Sequence, residues 1–333
     1  MSKVAVVSGA SAGIGRATAI AFSRRGYRVG LLARDPARLE TLCAGLRSVG
    51  GHALGIPTDV SNADQVEAAA ERIENELGAI SVWVNNASVT VFAPVLNTSA
   101  EEYRRVTEVT YLGVVHGTLA ALKRMHLRNS GQIIQVGSSL AYRSIPLQSA
   151  YCGAKAAIRG FTDAVRCELI HDRSHVQVTM VQLSAFNTPQ FDWARSKLPH
   201  KLQPVPPIFQ PELAAEAIVM AANHARREVW VGWPAVKTIL ASRLLPGRLG
   251  DLKAASDAYD SQQTDEPALR ERPDNLFTAV TGDFAVHGRF DERARRRSWQ
   301  WSMSVHRVWF ILLALFAVAG TAVLTLSGLA MGS

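Results

Sequence analysis

Up to Trp233 the chain alternates short apolar runs with segments in which apolar residues return every three or four positions. Seven runs read as strands, at 4–8, 28–33, 52–58, 81–85, 132–137, 177–183 and 228–232. They are continuous rather than alternating, as expected of strands covered by helices on both faces. The segments between them carry helix-start signals. Ser61 stands three residues before Asp64, and Ser99 three before Glu102, both capping-box spacings. Asp35-Pro36 sets a cap ahead of a proline at the first helical position. Strand and helix alternating in this way predict an α/β fold, a doubly wound parallel sheet with crossover helices. No internal repeat is evident.

Beyond Trp233 the alternation fails. Residues 256–297 are polar, hold Pro267 and Pro273, and include short apolar islands such as Leu276-Phe277. They predict an extended tail partly packed on the globular part, with a disordered tether as the alternative. Residues 308–331 differ sharply, with 24 positions and no charge. As a helix they would reach about 36 Å, enough for a bilayer core of roughly 30 Å. Buried core helices are usually shorter and keep a polar stripe, so a transmembrane helix is the preferred reading. Trp299, Trp301 and Trp309 gather at its leading edge, where amphipathic rings favour an interface.

Charge changes this picture only locally. The 333 residues carry 36 Lys and Arg against 28 Asp and Glu, a net +8. Arginines 289, 293, 295, 296, 297 and 307, set against Asp291 and Glu292, supply +4 of it beside the apolar segment. That is a juxtamembrane flank rather than a nucleic-acid surface, and it predicts a cytoplasmic catalytic part. Three cysteines, Cys43, Cys152 and Cys167, are too few and scattered for a disulfide framework or a metal site, which suits a reducing compartment. The nine histidines show no metal-ligand pairing. The chain opens Met1-Ser2-Lys3 and enters its first strand at once, so no signal peptide is expected.

Chemistry enters at residues 8–15, Ser-Gly-Ala-Ser-Ala-Gly-Ile-Gly, directly after the first strand. Glycines let the backbone close on a pyrophosphate at a helix N-terminus, although any tight strand-to-helix turn also favours them. Far downstream come Ser138 and then Tyr151-Cys152-Gly153-Ala154-Lys155. On a helix over 149–172, Tyr151 and Lys155 share a face. A nearby ammonium stabilises a phenolate, and each unit of pKa lowered is worth about 1.4 kcal/mol. Cys152 beside the tyrosine reads as a packing residue.

In combination and order these motifs resemble the short-chain dehydrogenase/reductase family over about residues 3–233, here as a membrane-anchored, bacterial-type member. The resemblance implies a Rossmann-like sheet and a hydroxyl–carbonyl oxidoreductase. Ser138 would polarise the substrate, with Ser139 as its rival. Tyr151 would be the acid–base, and Lys155 would also hold the nicotinamide ribose. Gly9, Ser11, Gly13, Ile14 and Gly15 would cradle the cofactor. Asn86 and Ala87, within Asn85-Asn86-Ala87-Ser88, would line its adenosine side. Asp59 and Val60 would meet the adenine, although Asp59 also reads as a turn former before Ser61. Thr110 stands where the family places a proton-relay asparagine. Thr188 would grip the carboxamide, without the family's usual Pro-Gly before it. Ala33 replaces the acid expected of an NAD enzyme, while Arg34 offers donors for a 2′-phosphate and Arg16 adds charge. The cofactor is therefore read as NADP(H). Arg34 as a solvated partner of Asp35 is the plainer alternative.

Residues 187–211 form the expected lid, with Phe191, Trp193, Leu198, Leu202, Val205, Ile208 and Phe209 among Pro204, Pro206 and Pro207. Such a cover suggests a lipophilic small-molecule substrate. The expected parts are an NADP(H)-binding domain over 1–250, a polar extension over 251–307 and the membrane helix over 308–331. Family resemblance implies a homodimer or homotetramer through helices at 99–125 and 149–172. The competing readings are an NAD-dependent alcohol dehydrogenase and a membrane-tethered nucleotide-binding scaffold with lapsed catalysis.

Overall fold

In the computed structural model, residues 3–245, 247–269, 272–282 and 284–306 are described. Seven parallel strands form the central sheet: β1 Val4–Ser8, β2 Arg28–Ala33, β3 Ala53–Pro57, β4 Ile80–Asn85, β5 Gly131–Ser138, β6 Val176–Leu183 and β7 Glu228–Val231. Each lies within a residue or so of the run that predicted it. Their order is β7–β6–β5–β4–β1–β2–β3, so the winding reverses between β1 and β4. Side chains alternate between faces, and both faces are covered, which is why the runs are apolar throughout. Ala5 and Val7 of β1 join one core and Val4 and Val6 the other. Helices α1 Gly13–Ser23, α2 Pro36–Ser48 and Pro211–Asn223 supply the first, for example through Phe22, Leu39 and Ile218. Helices α3 Ala63–Leu77, α5 Gly113–Arg128 and α6 Ser149–His171 supply the second, through Ile73, Met125 and Leu169.

Helix starts follow side-chain chemistry. Asp35 caps α2 by accepting from Arg38 N, and α4 Ala100–Val106 opens with the reciprocal Ser99–Glu102 capping box. One start differs from expectation, since Asn62 rather than Ser61 caps α3. Ser61 is drawn away because its N–H and Oγ both bond Asp59. The helix expected over 99–125 is also interrupted, by a π-helical segment at Thr107–Leu112.

Past β7 the chain packs back on the same body. Helix α8, Trp233–Leu244, and helix α9, Gly247–Ala258, precede a strand at Gln263–Pro267 that pairs antiparallel with His200–Leu202. The last described helix, Trp299–Val305, places Trp301 in the first core at 6% exposure, so this tryptophan is a packing residue rather than an interfacial one. Trp299 stacks on Trp233 with ring centroids 5.3 Å apart. Among the described residues no helix is long and apolar enough to cross a membrane. The expected span, 308–331, lies outside them.

Candidate active site

The carboxyl ends of the parallel strands converge where the winding reverses, the place where such sheets leave a crevice. There β1 runs into the glycine turn. Gly9 and Gly13 have φ of +68° and +55°, conformations that side chains disfavour. A Cβ on Gly15 would stand 2.1 Å from Gly9 O, and one on Gly9 2.8 Å from Ala87 Cα. The turn is locked from behind. Asn86 Nδ2 donates to Ser8 O at 2.9 Å, while Ser8 Oγ accepts from Asn86 N at 3.0 Å and Ala87 N at 3.1 Å. Deeper still, Asn85 accepts from Trp83 Nε1 and donates to Gln135 and Thr118, tying the middle of the sheet together. Ala12 caps α1 without a side-chain acceptor, and Gly13 N–H donates to Ala285 O at 2.9 Å.

Ser138 ends β5, and α6 carries Tyr151 and Lys155 on the face turned toward it. Tyr151 is hydrogen-bonded to Ser138. Ser138 Oγ accepts from Leu140 N at 3.1 Å, which leaves its O–H free to donate forward. Lys155 Nζ donates to Val136 O at 2.8 Å and stands 5.4 Å from the Tyr151 ring centre. Burial raises the Tyr151 phenol above its ordinary value, only partly offset by the Ser138 bond. Burial also lowers the Lys155 ammonium to about 8. Burial is the largest cause of both shifts. Cys152 is buried behind them, and burial raises its thiol too.

Gly9, Ser11, Gly13, Ile14, Gly15, Arg34, Asp59, Val60, Asn86, Ala87, Ser138, Ser139, Tyr151, Lys155 and Thr188 all line one cavity of about 900 Å³. Thr110 does not. Fully buried, it accepts from Val89 N at 3.0 Å and donates to Val89 O at 2.9 Å, so its hydroxyl is spent on a neighbouring loop. Asp59 is engaged as well. Burial pushes its carboxyl up, but bonds from Arg105 and Ser61 outweigh this and hold it below the usual range. Arg34 is half-buried: Nη2 donates to Asn275 O at 2.6 Å and Nη1 to Phe277 O at 3.0 Å.

The lid divides by role. Phe191, Trp193, Pro204, Val205 and Pro206 face the cavity with Phe92, Ile145, Leu245 and Leu249. Leu198, Leu202, Ile208 and Phe209 are buried and serve as packing. Two side chains escaped the sequence: Arg38 on the cavity wall and Arg105 gripping Asp59 at 2.6 Å. The three-residue spacing of Asp35 and Arg38 was a local signal. The tail expected to pack in part on the globular body does so at the Leu276-Phe277 island, and Asn275, Ala279 and Val280 reach the cavity, a place that the sequence did not indicate.

Comparison with known proteins agrees with this geometry. The short chain dehydrogenase family matches residues 3–198. The chain belongs to that family. This short-chain dehydrogenase is similar to the uncharacterized oxidoreductase YxnA of Bacillus subtilis, 32% identical over 308 residues that cover 91% of this chain and 84% of YxnA. Among solved structures it resembles a metagenomic short-chain oxidoreductase in complex with NADP, at 26% identity and a TM-score of 0.58, covering 69% of this chain and 96% of that one. The fold also matches a short-chain dehydrogenase/reductase from Burkholderia phymatum in complex with NAD, at 24% identity and a TM-score of 0.66, over 80% of this chain and 98% of that one. It is an oxidoreductase with a Rossmann-like sheet.

Proposed function

We propose that this short-chain dehydrogenase uses NADP(H) to interconvert a hydroxyl and a carbonyl on a lipophilic small molecule, with Tyr151 as acid–base. One observation carries the reading: the hydrogen-bonded Ser138–Tyr151 pair and Lys155 open into the same cavity as the glycine turn. The glycine turn, too tight for a Cβ at Gly15 or Gly9, lines the cavity ahead of the α1 N-terminus, where a dinucleotide pyrophosphate would lie. A bound nicotinamide supplies or accepts the hydride. The chain's own residues manage the proton. Ser138 and Tyr151 converge on the substrate oxygen, and the raised phenol stays protonated until an alkoxide begins to form. As that proton leaves, the Lys155 cation stabilises the phenolate. Thr188, lining the cavity, would hold the carboxamide.

NADP(H) rather than NAD(H) is favoured by Ala33 and Arg34 at the end of β2, and by the NADP bound in the metagenomic relative. A lipophilic substrate is favoured by the apolar wall of Phe92, Phe191, Trp193, Leu245 and Leu249. Residues 308–331 would anchor the enzyme, with the exposed Arg295, Arg296 and Arg297 keeping the domain cytoplasmic. Exposed Leu119 and Leu127 on α5 and Ile170 on α6 suit a homodimer or homotetramer contact. The test is NADPH oxidation by purified protein across a panel of medium-chain and aromatic aldehydes and ketones. Turnover with NADPH that exceeds turnover with NADH, and that vanishes in Tyr151→Phe, supports the reading. NADPH binding without turnover on any carbonyl or alcohol supports a scaffold instead.

A further inference from the structure

The adenosine end of the cavity is completed by chain outside the family match. Residues 274–282 and 284–290 form a strap against the cleft, pinned by the fully buried Leu276. At one end the strap's carbonyls hold Arg34, and Leu276 O accepts from Arg105 Nε at 3.1 Å. Further on, Val280 O accepts from Arg38 Nη2 at 2.8 Å, and Ala285 O takes the Gly13 N–H. A Cβ at Gly288 would stand 2.5 Å from Thr188 O, so the strap closes tightly at the other end too. Asn275, Ala279 and Val280 line the cavity beside Arg34 and Arg38.

Arg38 is the unusual member. It is 8% exposed, its Nε bonds Asp35 at 2.8 Å, and its guanidinium lies 5.0 Å from the Trp193 ring centre and 5.7 Å from that of Phe284. Nη1 is buried and finds no acceptor among the described residues. A buried guanidinium nitrogen without an acceptor is costly, and Arg38 is one of the residues that line the cavity. Charge points the same way. Arg34, Arg38 and Arg105 face Asp35 and Asp59, and the described contacts of the strap with these arginines are made by backbone carbonyls. One anionic group would balance this corner.

We propose that Arg38, positioned by the strap, is a second binding residue for the 2′-phosphate of the dinucleotide, and that the strap is therefore a cofactor-specificity element. The proposal rests on the NADP(H) reading above. Arg34 holds the strap while Arg38 presents Nη1 to the phosphate, and Phe284 with Trp193 keeps the guanidinium from swinging into solvent.

Calorimetric titration of the full chain with adenosine 2′,5′-bisphosphate and with 5′-AMP tests it. The parent should prefer the bisphosphate, and Arg38→Met should lower that preference about tenfold or more while AMP affinity holds within about twofold, as expected for a lost charge-assisted bond. Phe284→Ala, which leaves the Asp35 pair intact, should lower the preference by about threefold and decides the matter if Arg38→Met does not fold. A parent preference that survives both variants overturns the assignment of Arg38 alone. A parent without any preference overturns the NADP(H) reading and this inference together.

Discussion

Burial drives the acidities of Tyr151 and Lys155 in opposite directions, and under the proposed mechanism both shifts bear on the reaction. The raised phenol is a reservoir of the proton that an alkoxide needs, so Tyr151→Phe should bind NADPH within about twofold of the parent yet lose about 10² to 10⁴ in turnover, checked by fluorescence titration beside steady-state rates. Lys155, lowered to about 8, is cationic below that pH and neutral above it. Because only the cation stabilises a phenolate, carbonyl-reduction kcat/KM for the free enzyme should fall as pH rises through about 8, the limb to be read from a pH–rate profile. A profile flat to pH 10 would leave the ammonium without a role. Thr110, standing where the family places its relay asparagine, spends its hydroxyl on both polar groups of Val89. Thr110→Val strands the Val89 N–H and carbonyl and should cost about 1–3 kcal/mol of stability. Turnover per folded molecule should stay within about threefold, which paired thermal melts and activity would show.

At the scale of elements, the strand-to-helix turn tolerates no side chain, and its glycines are steric necessities. Gly15→Ala would set a methyl against the Gly9 carbonyl, a backbone atom that cannot rotate aside. The expected result is about 1–3 kcal/mol of destabilisation with loss of NADPH binding, seen together in melts with and without cofactor. The π-helical segment at Thr107–Leu112 is the element that propensity could not announce. The segment carries Thr110, whose hydroxyl meets both polar groups of Val89. Caps were legible where the side chain had one local use, as at Asp35 and Ser99. Ser61 misled because a tertiary partner, the Asp59–Arg105 pair, claimed its neighbourhood.

Across the whole molecule, the described residues up to His306 pack on the oxidoreductase body. Gln300 accepts from Gly232 N at 2.9 Å and donates to Trp230 O at 3.1 Å, and Trp301 fills the core beneath α1 and the sheet. A chain cut after Arg297 should consequently be less stable than one cut after His306, by about 3–5 kcal/mol if Trp301 is worth a typical buried tryptophan. Denaturant melts of the two truncations measure this. Fractionation of the full chain and the His306 form with a carbonate wash tests the anchor over 308–331, since only the full chain should remain with membranes.

Ser138 came with the family resemblance, but the seven strand runs, the glycine turn and the pairing of Tyr151 with Lys155 on one helix were legible from the residues. Each rests on local physics: apolar runs doubly covered, glycine where the backbone closes, and a four-residue spacing on one helix. Tertiary structure alone decided what the other polar groups do. Arg34 looked like a free phosphate donor until the carbonyls of Asn275 and Phe277 closed on it from more than two hundred residues away. Arg38, Arg105 and the strap joined the cavity by the same route. A pattern along the chain reports which faces must be buried. It cannot report which distant backbone oxygen will reach a buried charge, because that partner is selected by packing after the sheet has formed.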